Sequence, residues 1–183
     1  VSFGSAIRLP AVLMTAAVTE STQSSLQRRA GALKDMTVFV ADRQVGGRGR
    51  GKNVWASPAG CLMFSFSFRY GGDGVTLAFV QYLVSLAVVG AVEAGGGGRL
   101  KGRVRIKWPN DIYYVGSEGG KDVFLKLGGV LCHSAYKSDG FYMTIGVGLN
   151  VDNVLPTTCL NALVGGGEGD RFSREALVAG IVG

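Results

Sequence analysis

This sequence predicts an α+β fold: a mixed, mostly antiparallel sheet with helices packed on one face. Three observations carry that expectation. Leu62, Phe64, Phe66 and Phe68 alternate with Met63, Ser65 and Ser67, the period of a strand with one apolar face. Two long apolar arms, Val123–Ser134 and Phe141–Val151, flank the turn-forming Lys137-Ser138-Asp139-Gly140 and read as a hairpin. Val75–Ala94 is a continuous apolar stretch too long for a strand. Strands that neighbour each other in sequence, with few helices between them, favour an α+β sheet over alternating βαβ units.

In chain order, Ala11–Val18 is short and apolar and predicts a strand. Glu20-Ser21-Thr22-Gln23 supplies N-cap residues, so Ser24–Lys34 is expected to be a helix. Met36–Ala41 predicts a second strand, followed by a Gly/Arg-rich loop closed by Pro58 and Gly60. After the alternating Leu62–Phe68 strand, Gly71-Gly72-Asp73-Gly74 forms a turn in which Asp73 is placed to cap the next helix. That helix, Val75–Ala94, is long enough to raise a transmembrane reading. Gln81, Tyr82, Ser85 and Glu93 argue instead for a buried central helix on the sheet, ended by Gly95–Gly98.

Arg103–Lys107 alternates, with Val104 and Ile106 inward and Arg103, Arg105 and Lys107 outward. Trp108-Pro109-Asn110 breaks the pattern before the short strand Ile112–Val115 and the turn Gly116–Gly120. In the second hairpin arm Phe141, Met143, Ile145, Val147 and Leu149 share one face, and Tyr142, Thr144, Gly146, Gly148 and Asn150 share the other. Two glycines on one face weaken a strand, which implies that something approaches the backbone there. Arg171–Val182 opens a helix with Ser173 as cap and Glu175 in its first turn. No linker divides residues 11–183.

The 183 residues are 47% hydrophobic, enough for one domain with a sizeable core. The 30 glycines cluster at 46–51, 95–98 and 165–169 without a fixed period, so no repeat architecture is indicated. A net charge of +6 favours anionic partners without selecting among them. Three cysteines, no C-x-x-C spacing and one histidine, His133, make a zinc site improbable and suggest a reduced intracellular protein. No basic region followed by an apolar run and a cleavage site marks a signal peptide. A cytoplasmic location is expected, with an organellar form left open.

Gly46-Gly47-Arg48-Gly49-Arg50-Gly51-Lys52 packs four glycines and three cations into seven residues, with Trp55 just downstream. Glycines allow a backbone close to a ligand, arginines bind phosphate or carboxylate, and the indole offers a flat apolar face. The local chemistry asks for an anion and a ring, which a nucleotide supplies. Gly46 and Gly51-Lys52 fit a P-loop, but Asn53 replaces the required Ser or Thr and no helix start follows. A long Arg/Gly-rich RNA-binding tract is disfavoured because this one is short and lies between apolar strands. An ordered loop over a bound nucleotide fits best; a solvated basic hairpin tip is the bland alternative.

Four segments occur in order: Gly47-Arg48-Gly49-Arg50 followed by Trp55, Lys107-Trp108-Pro109-Asn110-Asp111, Lys126-Leu127-Gly128-Gly129-Val130-Leu131, and Gly146-Val147-Gly148-Leu149-Asn150. Together they resemble the catalytic domain of biotin protein ligases, also called holocarboxylase synthetases, over about residues 11–182. Asn153–Leu163, with Pro156-Thr157-Thr158-Cys159-Leu160-Asn161, is similar to the eukaryotic branch. The resemblance implies a class II synthetase-like biotin–lipoate ligase fold. It implies activation of biotin by ATP to biotinyl-5'-AMP, then transfer to a lysine of the biotin carboxyl carrier domain of acetyl-CoA carboxylase or another carboxylase. Magnesium is the implied metal, and neither DNA nor a membrane is an expected partner.

The resemblance also assigns roles. Ser21 and Thr22 would hydrogen-bond the biotin ureido ring, with simple helix capping as the alternative, and one residue can do both. Gln44, Gly47 and Arg48 would line the biotin side of the loop, with Arg48 near the carboxylate. Arg50 would bind phosphate and Trp55 would pack on adenine, with a core tryptophan as the alternative. Lys126 would contact the biotin carboxylate and the α-phosphate. Gly129 and Gly146 would let the biotin ring lie against backbone. Strict alternation puts Lys126 and Gly129 on opposite faces, so a bulge is expected between them. Asn150 would read adenine, and Asn110 with Asp111 would bind ATP phosphates or magnesium, with a plain turn as the alternative. Lys107 is left as structural or phosphate-facing.

Gly51-Lys52-Asn53 departs from the basic run that often follows in the family. The chain is expected to hold the catalytic domain over residues 1–183, without an N-terminal winged helix and with the small C-terminal β-barrel absent or truncated. A lipoate ligase or octanoyl transferase of the same fold is the rival enzyme. A basic module for single-stranded nucleic acid is the non-enzymatic rival, but Arg103, Arg105 and Lys107 lack interleaved aromatics.

Overall fold

A computed structural model describes residues 12–137, 140–153, 156–165 and 167–183. The expected strand start at Ala11 and the turn residues Ser138 and Asp139 lie outside them. The described strands are β1 (Val12–Thr19), β2 (Thr37–Gln44), β3 (Cys61–Tyr70), β4 (Val104–Lys107), β5 (Asp111–Glu118), β6 (Lys121–Lys137) and β7 (Gly140–Asn150). The helices are α1 (Thr22–Gln27), α2 (Leu77–Ala94), α3 (Leu160–Val164) and α4 (Arg174–Val182). The strands form one sheet in the order β1-β2-β3-β7-β6-β5-β4. β1 runs parallel to β2 and every other neighbour is antiparallel, so the α+β expectation holds.

The alternation in β3 sets the layers. Leu62, Phe64 and Phe66 join Val38, Ile145, Val147 and Leu149 in a core closed by Val88 and Val92 of α2 and Leu177 and Ile181 of α4. Met63, Ser65 and Ser67 point to the opposite face. There α1 crosses the sheet, with the Thr22 hydroxyl 2.8 Å from the Ser65 hydroxyl. The expected placement of helices on one face is corrected to this extent: α2 and α4 cover one face, and α1 lies on the other.

Local chemistry accounts for several shifted boundaries. The Ser21 hydroxyl accepts a bond from the Ser24 amide at 3.3 Å, so α1 starts at Thr22 rather than Ser24. The helix stops at Gln27, well short of Lys34; Arg29 and Ala30 make only tight i−3 bonds, and Gly31 then turns at φ +90. The Ser173 hydroxyl accepts from the Ala176 amide at 3.1 Å and starts α4. Asp73 accepts from the Thr76 amide at 2.9 Å just before α2, which holds its carboxyl below the usual carboxylate range. The helix α3 was not expected from its five-residue sequence.

By length and composition α2 is apolar enough to cross a membrane. It packs on the sheet through Val80, Ser85, Val88 and Val92. It is not the wholly buried helix expected, since Phe79 and Leu83 on its outer side are 62% and 61% exposed.

The three cysteines are free thiols. Burial pushes the Cys61 and Cys132 thiols up to about 12, with Cys159 adding to the shift at Cys61. Both should therefore resist iodoacetamide at pH 8 in the folded protein and react once it is unfolded in urea. Because folding raises these values, their contribution to stability is intact below the ordinary value of 9.0 and is lost as pH rises toward about 12. A folded protein alkylated rapidly at Cys61 would contradict this burial.

Candidate active site

A cleft of about 310 Å³ opens on the α1 face of the sheet. Its floor comes from the start of α1 and the glycine face of β7. One wall is the 47–55 segment, and the other is the end of β5 with the middle of β6. Ser21, Thr22, Gln44, Arg48, Arg50, Trp55, Asn110, Asp111, Lys126, Gly129 and Gly146 all line it, brought together from positions up to 125 residues apart in number.

The polar floor is a connected network. Gln44, at the end of β2, accepts at Oε1 from the Thr22 amide at 2.8 Å and from the Thr22 hydroxyl at 3.1 Å. A hydroxyl carries one proton, so with Thr22 donating to Gln44, the Ser65 hydroxyl is the donor in the Thr22–Ser65 bond. The Gln44 amide nitrogen donates to Ser57 Oγ at 3.1 Å, which ties the floor to the base of the arginine loop.

Gln23 and Ser65 were not anticipated as site residues. Gln23 donates through Nε2 to the Leu131 carbonyl at 2.8 Å and the Thr144 carbonyl at 3.4 Å. That leaves its Oε1 over Gly146, where an added Cβ would lie 2.7 Å from it. Gly148 is crowded in the same way by Trp55, whose Nε1 would lie 2.7 Å from a Cβ. The close approach inferred from the two glycines is therefore real, and it is made by these two side chains. A glutamine in a helix turn and a serine on a strand carry no pattern that marks them in sequence.

The 47–55 segment is a small hairpin. Arg48 bridges Val54, Gly49 donates to the Asn53 carbonyl at 2.8 Å, and Trp55 donates to the Gly47 carbonyl at 3.0 Å. Gly51 turns its tip at φ +67. No helix follows, which removes the P-loop reading. Among the described residues no carboxylate pairs with the Arg48 or Arg50 guanidinium, whereas Arg28, Arg99, Arg171 and Arg174 each have one. The hairpin thus presents two uncompensated cations to the cleft.

The opposite wall is built by a bulge. β5 pairs Tyr113 with Lys126 and then Ile112 with Gly128, so Leu127 is the extra residue. This bulge puts Lys126 and Gly129 on the same cleft, as their shared lining shows. The Lys126 ammonium sits 2.8 Å from Asp111 Oδ1 and 5.9 Å from the Trp55 ring centroid. Trp55 is thus a cleft-wall residue rather than a core tryptophan, and its buried Nε1 has no hydrogen-bond partner. Asn110 is clamped to β6 by its Nδ2 on the Val130 carbonyl at 3.1 Å. Lys107 lies over the Tyr113 ring at 5.3 Å and does not line the cleft.

Two expected site residues are placed elsewhere. Gly47 lies beneath the hairpin, where a Cβ would meet the Trp55 carbonyl and come within 2.7 Å of Ser57 Oγ. It is needed for that close packing and does not face the cleft. Asn150 is 1% exposed and sits under the floor. Its Oδ1 accepts from Cys61 Sγ at 3.2 Å and its Nδ2 donates to Thr157 Oγ1 at 3.2 Å, so both ends of the amide are engaged away from the cleft.

Comparisons with known proteins identify the family and the fold. Biotin–protein ligase 2 of Arabidopsis thaliana is 51% identical over 130 residues, covering 70% of this chain and 37% of that protein. The biotin–protein ligase of Homo sapiens is 43% identical over 131 residues, covering 69% of this chain and 17% of the human protein. The chain thus spans well under half the length of these relatives. The structure of the Aquifex aeolicus biotin protein ligase in complex with biotin and ATP superposes with a TM-score of 0.70 at 26% identity, covering 94% of this chain and 67% of that one. The biotin/lipoate A/B protein ligase family model matches residues 15–150, and the chain belongs to that family.

Proposed function

We propose that this chain activates biotin with ATP and transfers it to a lysine of the biotin carboxyl carrier domain of acetyl-CoA carboxylase or another biotin-dependent carboxylase. In the first step a biotin carboxylate oxygen attacks the α-phosphorus, the α–β phosphoanhydride bond breaks, and pyrophosphate leaves. In the second, the lysine amine attacks the acyl carbon of biotinyl-5'-AMP, the acyl–oxygen bond breaks, the amine loses its proton, and AMP leaves. The observation that carries this reading is the convergence of Lys126, Arg48 and Arg50 on one cleft with a hydrogen-bonding floor.

Two anions must meet in the first step, and three preplaced cations offset their repulsion. In this reading Arg48 and Lys126 hold the biotin carboxylate, and Arg50 holds the phosphate. Ser21 and Thr22 face the ureido ring, with Gln44 fixing Thr22. Gly129 and Gly146 keep the strand faces low enough for the ring. Trp55 supplies a flat surface for adenine. The arginine hairpin shields the mixed anhydride from water.

Magnesium fits this cleft only as an ion held mainly by phosphates and water. The oxygen donors available are the Asp111 carboxylate, one oxygen of which is on Lys126, and the Asn110 amide. Among the described residues no group of three His, Cys, Asp or Glu forms a fuller ligand set. A bound Mg²⁺ would neutralise phosphate charge. The three free thiols suit a reducing compartment, cytoplasmic or organellar.

The family also includes lipoate ligases. The hydroxyls and amides of this floor favour the polar ureido ring of biotin over the apolar dithiolane ring of lipoate. With ATP and magnesium, the protein should label a biotin carrier domain with biotin and leave a lipoyl domain unlabelled with lipoate. Labelling by lipoate alone would overturn the assignment.

A further inference from the structure

The segment Pro156-Thr157-Thr158-Cys159-Leu160-Asn161 contributes nothing to the cleft lining, yet it reaches the backbone that carries Lys126. We propose that Thr157 is a positioning residue for adenylation, its hydroxyl fixing the bulged backbone that aims Lys126 into the cleft. The inference rests on the adenylation reading above.

The need for such a tether follows from the sheet. The β6–β7 ladder begins at Gly128↔Leu149, so Lys126 lies beyond its end. On the β5 side the register jumps at Leu127, one residue after Lys126. Lys126 still pairs with Tyr113 of β5, but on its other side the peptide has no ladder partner to hold its plane. Thr157 Oγ1 supplies one by donating to the Lys126 carbonyl at 2.9 Å.

The hydroxyl proton is then committed to Lys126, so the bond at 3.2 Å between Asn150 Nδ2 and Thr157 Oγ1 has the amide as donor. Asn150 in turn accepts from Cys61 at 3.2 Å. The result is a chain of bonds with one direction, from Cys61 on β3 through Asn150 on β7 and Thr157 to the Lys126 carbonyl. It joins the sheet centre to the backbone of the lysine. A small misplacement of a charged group in such a site costs up to about a hundredfold in rate.

Thr157 is exposed, so substitution there removes little packing. T157V keeps the shape and deletes donor and acceptor; T157S keeps both. Biotinyl-5'-AMP formation should fall about tenfold to a hundredfold in kcat for T157V, with a smaller rise in KM for biotin, whose carboxylate Arg48 still holds, and T157S should restore both. Melting temperature should stay close to that of the wild type in T157S and fall by a few degrees in T157V, where buried Asn150 Nδ2 loses its acceptor. Wild-type kcat in T157V would overturn the proposal alone. Equal loss in both variants, accompanied by a lowered melting temperature, would also overturn it by showing a merely structural role. A wild-type chain that forms no adenylate would overturn the adenylation reading, and this inference with it.

Discussion

Lys126→Ala is expected to lower biotinyl-5'-AMP formation by about 10²–10³-fold while the protein remains folded. The reason is geometric and electrostatic. Lys126 stands where the bulge at Leu127 directs it, 2.8 Å from Asp111 and beside Trp55, in a cleft whose other cations sit on the facing hairpin. In the proposed reaction a carboxylate approaches a phosphate, and negative charge concentrates around the pentavalent phosphorus. A cation already held at that point needs no reorganisation when the charge develops. Removing it raises the barrier, and because Lys126 lines an open cleft rather than the apolar core, the fold does not depend on its side chain. Circular dichroism and melting temperature should therefore change little. Adenylation retained at the wild-type rate in this variant would remove Lys126 from the chemistry.

The second large effect is on the fold. Gly128→Ala is expected to destabilise the domain by about 3 kcal/mol or more, whereas Gly129→Ala should be tolerated. The neighbours differ only in what surrounds them. A Cβ at Gly128 would run into the Gly148 carbonyl and come within 2.9 Å of Leu149 Cδ1 and 3.2 Å of its Cα. Backbone is in the way, so β6 and β7 would have to part at the start of their ladder. At Gly129 a Cβ would lie 3.3 Å from Asp111 Oδ1 and 3.4 Å from the Asn110 carbonyl, which calls for shifts of a few tenths of an ångström. Gly129→Ala should therefore keep stability and lose ligand affinity, since it narrows the cleft. Urea unfolding of both variants checks this; equal stabilities would contradict the packing described for the bulge.

The strands were legible because their chemistry repeats every second residue. Leu62–Phe68 and Phe141–Leu149 each put one apolar face on the core. The bulge was legible for a different reason: Lys126 and Gly129 belong to one motif, and a regular strand puts them on opposite sides. The length of α1 was not legible, since Arg28, Arg29 and Ala30 are compatible with a helix and only the turn at Gly31 ends it. Nor was the outer side of α2, whose apolar residues look the same in sequence whether buried or exposed.

In the site, glycines and arginines announced themselves, and Gly146 and Gly148 revealed a close approach without revealing its source. That source, Gln23 and Trp55, depends on how α1 and the hairpin fold over β7. Gly47 and Asn150 sit in motifs that read as ligand-facing, but their surroundings are Ser57 and the Trp55 carbonyl in one case, Cys61 and Thr157 in the other. Motif spacing shows which residues gather around a cleft. It does not show which of them turn toward it.

The central claim is that the cleft joins biotin to AMP. Its most direct test is incubation of the protein with biotin, ATP and magnesium, with no acceptor, followed by mass spectrometry for biotinyl-5'-AMP and assay of released pyrophosphate. The account predicts both products in equal amounts, with pyrophosphate released and the adenylate retained on the protein until a carrier domain is added. Pyrophosphate and adenylate formed with lipoate but not with biotin would contradict it.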